Sequence, residues 1–278
     1  MCKVPHRDEN EKKEDEPTGM NHAPPESTML PAGAEPSRCE VWRMFDRIAH
    51  RYDLLNRLLS FGLDVRWRNR MAGFLAARGN QHLLDLATGT ADQLLALMDR
   101  SGCISRATGM DMAEAMLERG REKVKRRGLD PVVRLETGDA VHIPSPDDAF
   151  DVVTISFGIR NVEDVGGSLK EMHRVLKPGG RALILEFSMP ANRCVRTGHL
   201  FYLRHILPRI GGMVSGDFEA YRYLNRTIES FPYGREFCAL METAGFRETK
   251  AHAQTFGVAT IYQGDKATES NALGHPDA

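Results

Sequence analysis

Between residues 82 and 187, apolar runs of strand length alternate with amphipathic segments of helix length. No other feature restricts the fold of this chain as strongly. Residues 82–87 read as a buried strand ending in a glycine-containing turn, and residues 91–100 as a helix. A second strand is expected over 107–111. A helix with a basic last turn, suited to the helix macrodipole, follows over 112–127. Further strands are expected at 132–135 and 151–157, the latter β-branched and almost continuously apolar. A helix over 162–176 should stop at Lys177-Pro178-Gly179-Gly180, and a strand over 181–187 follows. Strands joined through helices predict parallel βαβ units with helices on both faces. Beyond residue 230 the pattern predicts a helix over 234–244 and strands over 249–256 and 259–263. Only a few residues around Gly257 separate the last two strands. That hairpin length makes the final strand antiparallel. The expected fold is therefore α/β and Rossmann-like: a mostly parallel seven-stranded sheet with an antiparallel last strand.

Composition sets the outer limits. With 37 Lys+Arg against 38 Asp+Glu, the net charge of −1 argues against a nucleic-acid partner. No apolar run approaches the roughly 18 residues of a membrane span, and no apolar central region of a secretory signal follows Met1. The five cysteines are odd in number and widely spaced, which fits neither a disulfide framework nor a Cys-x-x-Cys site. A reducing cytoplasmic setting is expected. Residues 1–40 hold six of the 14 prolines, no aromatic residue, and nine Asp/Glu against five Lys/Arg. Such a segment buries too little apolar area to offset its ordering entropy, so a disordered acidic extension is expected. The core domain should span 41–265, with a polar tail over 266–278.

Asp85-Leu86-Ala87-Thr88-Gly89-Thr90-Ala91-Asp92 leaves the first strand and opens a helix. A small-residue turn lets a ligand approach the backbone, and the helix start offers free N–H groups. Taken alone, this describes any tight strand-to-helix turn. Asp111 stands 22 residues after Gly89, at the end of the second strand. A carboxylate there suits ribose hydroxyls, and it equally suits a helix N-cap. Asp139 and Ala140 close the third strand, where an adenine edge would lie, and Ser156 sits at the end of the fourth. Four successive strand ends thus present Thr90, Asp111, Asp139 and Ser156 along the edge where open α/β sheets bind ligands. The Gly-x-Gly-x-x-Gly cradle of a dinucleotide is missing, because Ala91 and Leu94 follow Gly89 at the spacings where glycines would stand. A nucleoside cofactor without phosphates fits better, and S-adenosylmethionine is the obvious candidate.

From about residue 41 to 266 the chain resembles the class I S-adenosylmethionine-dependent methyltransferases. More narrowly it is similar to the UbiE/MenG-type quinone C-methyltransferases. The resemblance rests on Met44-Phe45-Asp46-Arg47-Ile48-Ala49 with Tyr52-Asp53-Leu54-Leu55-Asn56, then Ser60-Phe61-Gly62 and Trp67-Arg68. It continues in Phe157-Gly158-Ile159-Arg160-Asn161, Leu176-Lys177-Pro178-Gly179-Gly180, Leu185-Glu186-Phe187-Ser188 and Ser230-Phe231-Pro232. It implies cofactor contacts at Thr90, Asp111, Asp139, Ala140 and Ser156, to which the turn residues Asp85 and Gly89 are added. It implies methylation of a ring carbon of demethylmenaquinol or of a related polyprenyl-methoxybenzoquinol, in menaquinone or ubiquinone biosynthesis. Where the family usually has glycine, this chain has Ala91, whose methyl is expected to crowd the methionine part of the cofactor.

Methylating a ring carbon calls for an electron-rich ring, and a quinol that has lost a hydroxyl proton supplies one. Arg160 could stabilise the oxyanion and Asn161 could orient a ring oxygen; an ion-paired arginine and a capping asparagine are the plainer alternative. Asp46, Tyr52, Asp53, His199 and water are all open as proton acceptors. No His/Cys/Asp cluster has metal-ligand spacing, so no metal is expected. Residues 190–235 form an insertion with seven Arg and three Asp/Glu, and residues 41–70 carry the same counts. Together they suit a lid over a tunnel for a polyprenyl tail, and peripheral contact with the inner face of the membrane. A homodimer is also open. The competing readings are a class I methyltransferase for another lipid or small molecule, and a non-catalytic scaffold subunit of a quinone-biosynthesis complex.

Overall fold

The sheet runs in the order β3-β2-β1-β4-β5-β7-β6. In this computed structural model residues 41–215 and 218–268 are described, all within the unit Glu35–Ala278; the expectations for 1–40 and for most of the C-terminal tail lie outside them. The strands are β1 (Gln81–Leu86), β2 (Ile104–Asp111), β3 (Val133–Thr137), β4 (Phe150–Ser156), β5 (Leu176–Phe187), β6 (Arg247–Gln254) and β7 (Ala259–Asp265). Strands β1 to β5 pair in parallel, and β7 runs antiparallel to both β5 and β6.

Two helices precede the sheet, α1 (Val41–Leu59) and α2 (Leu63–Met71). The crossovers use α3 (Asp92–Ser101), α4 (Glu114–Arg126) and α5 (Val165–Val175). The insertion after β5 is helical: α6 (Arg193–Phe201), a π-helical turn over 202–206, α7 (Leu207–Ser215) and α8 (Phe218–Ser230). Helix α9 (Arg235–Thr243) leads into β6.

Successive strand residues face opposite sides of the sheet, and the core divides accordingly. Leu83, Val152, Leu183, Leu185 and Ile261 pack against Leu94, Leu95 and Leu97 of α3 and Trp67 and Met71 of α2. Leu84, Leu86, Val153, Ile155 and Ile184 pack against Leu169 and Met172 of α5 and Phe237 and Met241 of α9. Burial on both faces explains why β1 and β4 read as nearly unbroken apolar runs. The third cluster belongs to the cap, where Leu55 of α1 meets Met189, Leu203, Leu207, Tyr223 and Ile228.

One expectation is corrected. Lys177-Pro178-Gly179-Gly180 does not separate helix from strand. It lies within β5 as an irregularity: Phe150 pairs with Leu176, and the next pairing is Val152 with Arg181. Gly179, at φ +75°, takes the left-handed backbone the bulge needs, and its N–H donates to the Lys266 carbonyl at 2.9 Å.

After β1 the chain winds outward through β2 and β3, then returns to place β4 on the other side of β1. That reversal is a topological switch point. The carboxyl ends of β1 and β4 diverge there and leave a crevice.

Candidate active site

A cleft of about 190 Å³ occupies this crevice. Its walls come from the strand ends: Ala87 and Gly89 after β1, Asp111 and Met112 at β2, Gly138–Val141 after β3, and Ser156–Gly158 at β4. The turn after β1 is wound in the left-handed region at three positions, Ala87 (φ 45°), Gly89 (φ 55°) and Ala91 (φ 64°). Asp111 closes the turn on itself, with Oδ2 accepting from the Gly89 N–H and Oδ1 from the Ala113 N–H, both at 2.8 Å. The N-cap-like role and the place in the cleft therefore coincide in one side chain. Burial holds its carboxyl above the usual range despite these bonds. Asp139 Oδ1 accepts from the Val141 N–H at 3.0 Å, and Ala140 lies beside it on the wall.

The other anticipated residues sit deeper. Ser156 borders the cleft and donates to Gln93 Oε1 at 3.1 Å. Asp85 is fully buried, with its oxygens accepting from Thr154 at 2.5 Å and Thr88 at 2.6 Å. Burial pushes its carboxyl up to about 6. Thr90 is buried, donating to Asp53 Oδ1 at 2.6 Å and accepting from Lys123 Nζ at 2.8 Å. With Tyr52, Arg68, Gly89 and Gln93 these groups line a small polar recess that continues the cleft. Ala91 does not crowd this space. It is fully buried and borders neither cleft nor recess. Its Cβ faces Gly120 of α4, where a Cβ would meet it at 3.4 Å.

Three carboxylates, Asp111, Asp139 and Glu163, line the cleft, and among the described residues no Lys or Arg does. Phosphate groups would find no counter-charge there, whereas a nucleoside carrying a sulfonium cation is electrostatically welcome. Met112 and Met116 add polarizable apolar walls beside the acidic edge. The residues present thus suit S-adenosylmethionine.

Behind the cleft lies a largely apolar cavity of about 270 Å³, roofed by α1 and the inserted helices. Phe45, Tyr52, Phe157 and Asn161 border both spaces, so the two meet at these four side chains. Phe157 holds φ +58°, a costly conformation for a bulky residue, just past the end of β4. Burial raises the Tyr52 hydroxyl above its usual range, although Arg68 and Arg160 oppose the shift. Asn161 Oδ1 is buried without a partner.

Arg160 is 4% exposed and ion-paired with Glu186 at 2.7 Å, its Nη1 also donating to the Phe157 carbonyl at 2.7 Å. The paired arginine weighed from sequence is thus present, and it also faces the cavity. The candidate proton acceptors divide. Asp46 accepts from the Ala115 N–H, and Asp53 pairs with Lys123 at 2.5 Å; neither lines the cavity. Tyr52 and His199 do line it. His199 has a buried Nε2 without a partner, and burial lowers its pKa, favouring the neutral imidazole. Among the described residues no group of His, Cys, Asp and Glu could hold a metal ion.

Sequence reasoning did not single out Phe157, Met112, Met116 or Glu186 as site residues. An aromatic at a strand end and two methionines in a helical pattern carry no signal apart from core packing. Glu186 was quoted only within a motif, and its partner lies 26 residues earlier on a neighbouring element.

The cap explains how α1 reaches the site. Tyr202, in the π-helical turn, donates to the Leu59 carbonyl at 2.6 Å. Lys123 of α4 binds Asp53 of α1 and Asp92 of α3, and Arg57 reaches Asp92 at 3.3 Å. These ties hold Phe45 and Tyr52 over the crevice.

The ubiE/COQ5 methyltransferase family matches residues 34–266. A ubiquinone/menaquinone biosynthesis C-methyltransferase UbiE from Geobacter sulfurreducens is 48% identical over 223 residues, covering 80% of this chain and 87% of the relative. A demethylmenaquinone methyltransferase from Thermus thermophilus is 46% identical over 223 residues, covering 80% of this chain and all of the relative. A SAM-dependent methyltransferase of known structure from Thermotoga maritima superposes with a TM-score of 0.57 at 20% identity, covering 81% of this chain and 99% of that one. The last likeness concerns the fold; the first three concern descent. The chain belongs to the ubiE/COQ5 methyltransferase family, S-adenosylmethionine-dependent enzymes built on the class I methyltransferase fold.

Proposed function

We propose that this enzyme methylates a ring carbon of a polyprenylated quinol, demethylmenaquinol, within quinone biosynthesis. The observation that carries this reading is the junction of an acidic, phosphate-averse cleft with a roofed apolar cavity at Tyr52, Phe157 and Asn161. A flat aromatic acceptor with an apolar tail matches a cavity walled by Leu55, Leu59, Trp67, Phe187, Leu203 and Leu207. The names of the relatives point the same way. When bound, S-adenosylmethionine supplies an electrophilic methyl group.

The chain's part is to hold the acceptor ring in line and to manage its hydroxyl proton. Asn161 Oδ1, buried and unpartnered, is placed to accept from a ring hydroxyl at the junction. Arg160 would stabilise charge developing on a ring oxygen; Glu186 tempers its field while fixing its orientation. Asp111, Asp139, Ala140 and Ser156 would hold the nucleoside, with Asp85, Gly89 and Thr90 shaping the turn that supports it. The roof excludes water, which strengthens each of these interactions.

The cap also suits contact with a lipid surface. No helix among the described residues is long and apolar enough to cross a membrane. Yet Leu54, Leu58, Phe61, Phe201 and Met213 are exposed on α1, its following turn and the inserted helices, with Phe61 at the rim of the cavity. Arginines flank them, an arrangement that favours peripheral docking where a polyprenyl tail would be delivered.

Labelled S-adenosylmethionine with reduced demethylmenaquinone should place label on the ring carbon, and the oxidised quinone should receive none. Equal labelling of both forms would refute the phenolate logic. Arg160→Ala should cut turnover far more than cofactor affinity; equal loss of both would remove its proposed role.

A further inference from the structure

Two arginines reach the cavity from buried positions, and their situations differ. Arg160 has its carboxylate. Arg68, on α2, is 8% exposed, and among the described residues its guanidinium makes no ion pair and no hydrogen bond. Its Nε is fully buried and unpartnered, and the group rests 5.2 Å above the ring centroid of Phe157. A guanidinium offers five donors and stays charged, so burying it without an anion is costly. The nearby acids are already engaged: Asp64 with Ser60, Asp85 with Thr88 and Thr154, and Asp92 with Lys123 and Arg57. Asp85 and Asp92 feel the charge of Arg68 through space, yet neither bonds it, which leaves its donors open to a ligand anion.

The position of Arg68 says which anion. It borders the small polar recess beneath Gly89, together with Asp85, Thr88, Thr90, Gln93 and Ser156. That recess continues the acidic cleft through Ala87, Gly89 and Ser156, which line both. It holds a buried carboxylate, Asp85, and a buried cation, Arg68, that attract each other through space yet form no ion pair within 4 Å among the described residues. A zwitterion complements that pair. The methionine end of S-adenosylmethionine is an α-amino acid with one ammonium and one carboxylate.

We propose that Arg68 receives the α-carboxylate of the cofactor's methionine part, through charge-assisted hydrogen bonds in a water-poor recess. The proposal rests on the cofactor reading above and adds a binding residue to it. Arg68 thereby sets the depth at which the methionine end is held, and with it the position of the sulfur relative to the junction at Tyr52 and Phe157.

The test compares two ligands by calorimetric titration. S-adenosylhomocysteine keeps the amino acid, and 5′-methylthioadenosine lacks it. Arg68→Met should weaken S-adenosylhomocysteine by about thirtyfold or more, the usual cost of truncating one partner of a buried charge pair. It should change 5′-methylthioadenosine less than about threefold on the same reasoning. Arg68→Lys should fall between, because it restores charge without the planar fork. The ligand-free Arg68→Met protein should melt no lower than wild type, since an unpaired buried charge has been removed. Unchanged S-adenosylhomocysteine affinity with lost quinol turnover would overturn the proposal and assign Arg68 to a substrate oxyanion. Equal weakening of both ligands with a lowered melting point would overturn it in favour of a structural prop. Failure of the wild-type protein to bind either ligand would refute the cofactor reading itself, and this proposal with it.

Discussion

Removing Arg160 should do more than slow the reaction, because it strands a carboxylate. Glu186 is 1% exposed and its partner 4%, so the pair is withdrawn from water. Without the guanidinium, Glu186 keeps only backbone donors, the Phe187 N–H at 2.8 Å and the weaker backbone contact from residue 160, and Oε2 already has no partner. Breaking such a pair from one side costs about 3–5 kcal/mol, against a total stability of about 5–15 kcal/mol for a domain. Arg160→Met, chosen to keep the volume, should therefore lose about a fifth of the stability or more. The loss also has a signed pH dependence. Burial already holds the Glu186 carboxyl above its ordinary range, with Arg160 pulling against that shift. An acid with a raised folded-state pKa contributes stability at low pH and loses it as pH rises through that value. Taking Arg160 away raises the folded pKa further, so the deficit of the variant should grow from pH 5 to pH 8. Urea unfolding at both pH values measures it. Arg160→Met/Glu186→Leu should recover most of the loss, since neutral side chains of similar size replace both charges. It also provides a folded protein in which turnover can be read separately from stability. A single-variant loss below about 1 kcal/mol at pH 8 would refute the stranded-charge reasoning, as would a deficit that grows toward acid pH.

Three further outcomes are expected. His82 is pushed down to about 4, chiefly by burial, so the unfolded chain binds its proton first as pH falls. The melting temperature should drop between pH 6.5 and 4, and His82→Phe should flatten that limb; an unchanged acid limb would exclude His82 as its source. At Gly158 an added Cβ would stand 2.5 Å from the Ala87 Cβ, at the wall of the cleft. Gly158→Ala should destabilise by about 1–3 kcal/mol and weaken S-adenosylhomocysteine binding, and unchanged affinity would show that the wall yields elsewhere. Lys123→Met should remove the tie among Asp53, Asp92 and Thr90. A loss of about 1.5–3 kcal/mol is expected, with faster amide exchange over α1; exchange spread evenly over the sheet would contradict a local latch.

The strand-end residues could be read from sequence because each rule involved is local. A buried strand declares itself by composition, and a small-residue turn follows it directly. The polar residue at the strand's end then lies where the fold class puts the ligand edge. Asp111, Asp139, Ala140 and Ser156 could be listed in chain order without knowing any long-range contact. Ala91 shows where that ends. Its type was visible, but the direction of its methyl depends on the left-handed turn that aims it at Gly120. The same limit applies to Lys177-Pro178-Gly179-Gly180, where turn-forming residues are drawn into a strand by pairing with β4 and with Lys266.

What the sequence determined by itself was the alternation that makes a parallel sheet, the ligand edge of that sheet, and a cofactor without phosphates. These follow from periodicity, strand length and the absence of a glycine cradle, all properties of neighbouring residues. Only the tertiary structure decided which charges are paired. Arg160 finds Glu186 because their elements lie side by side in space, and Arg68 forms no ion pair among the described residues because each nearby carboxylate is held by another group. Two arginines of identical chemistry, one ion-paired and one without an ion pair among the described residues, differ only in what the fold brings within 4 Å of them. In a water-poor interior that difference sets which of them a ligand will meet as a free charge.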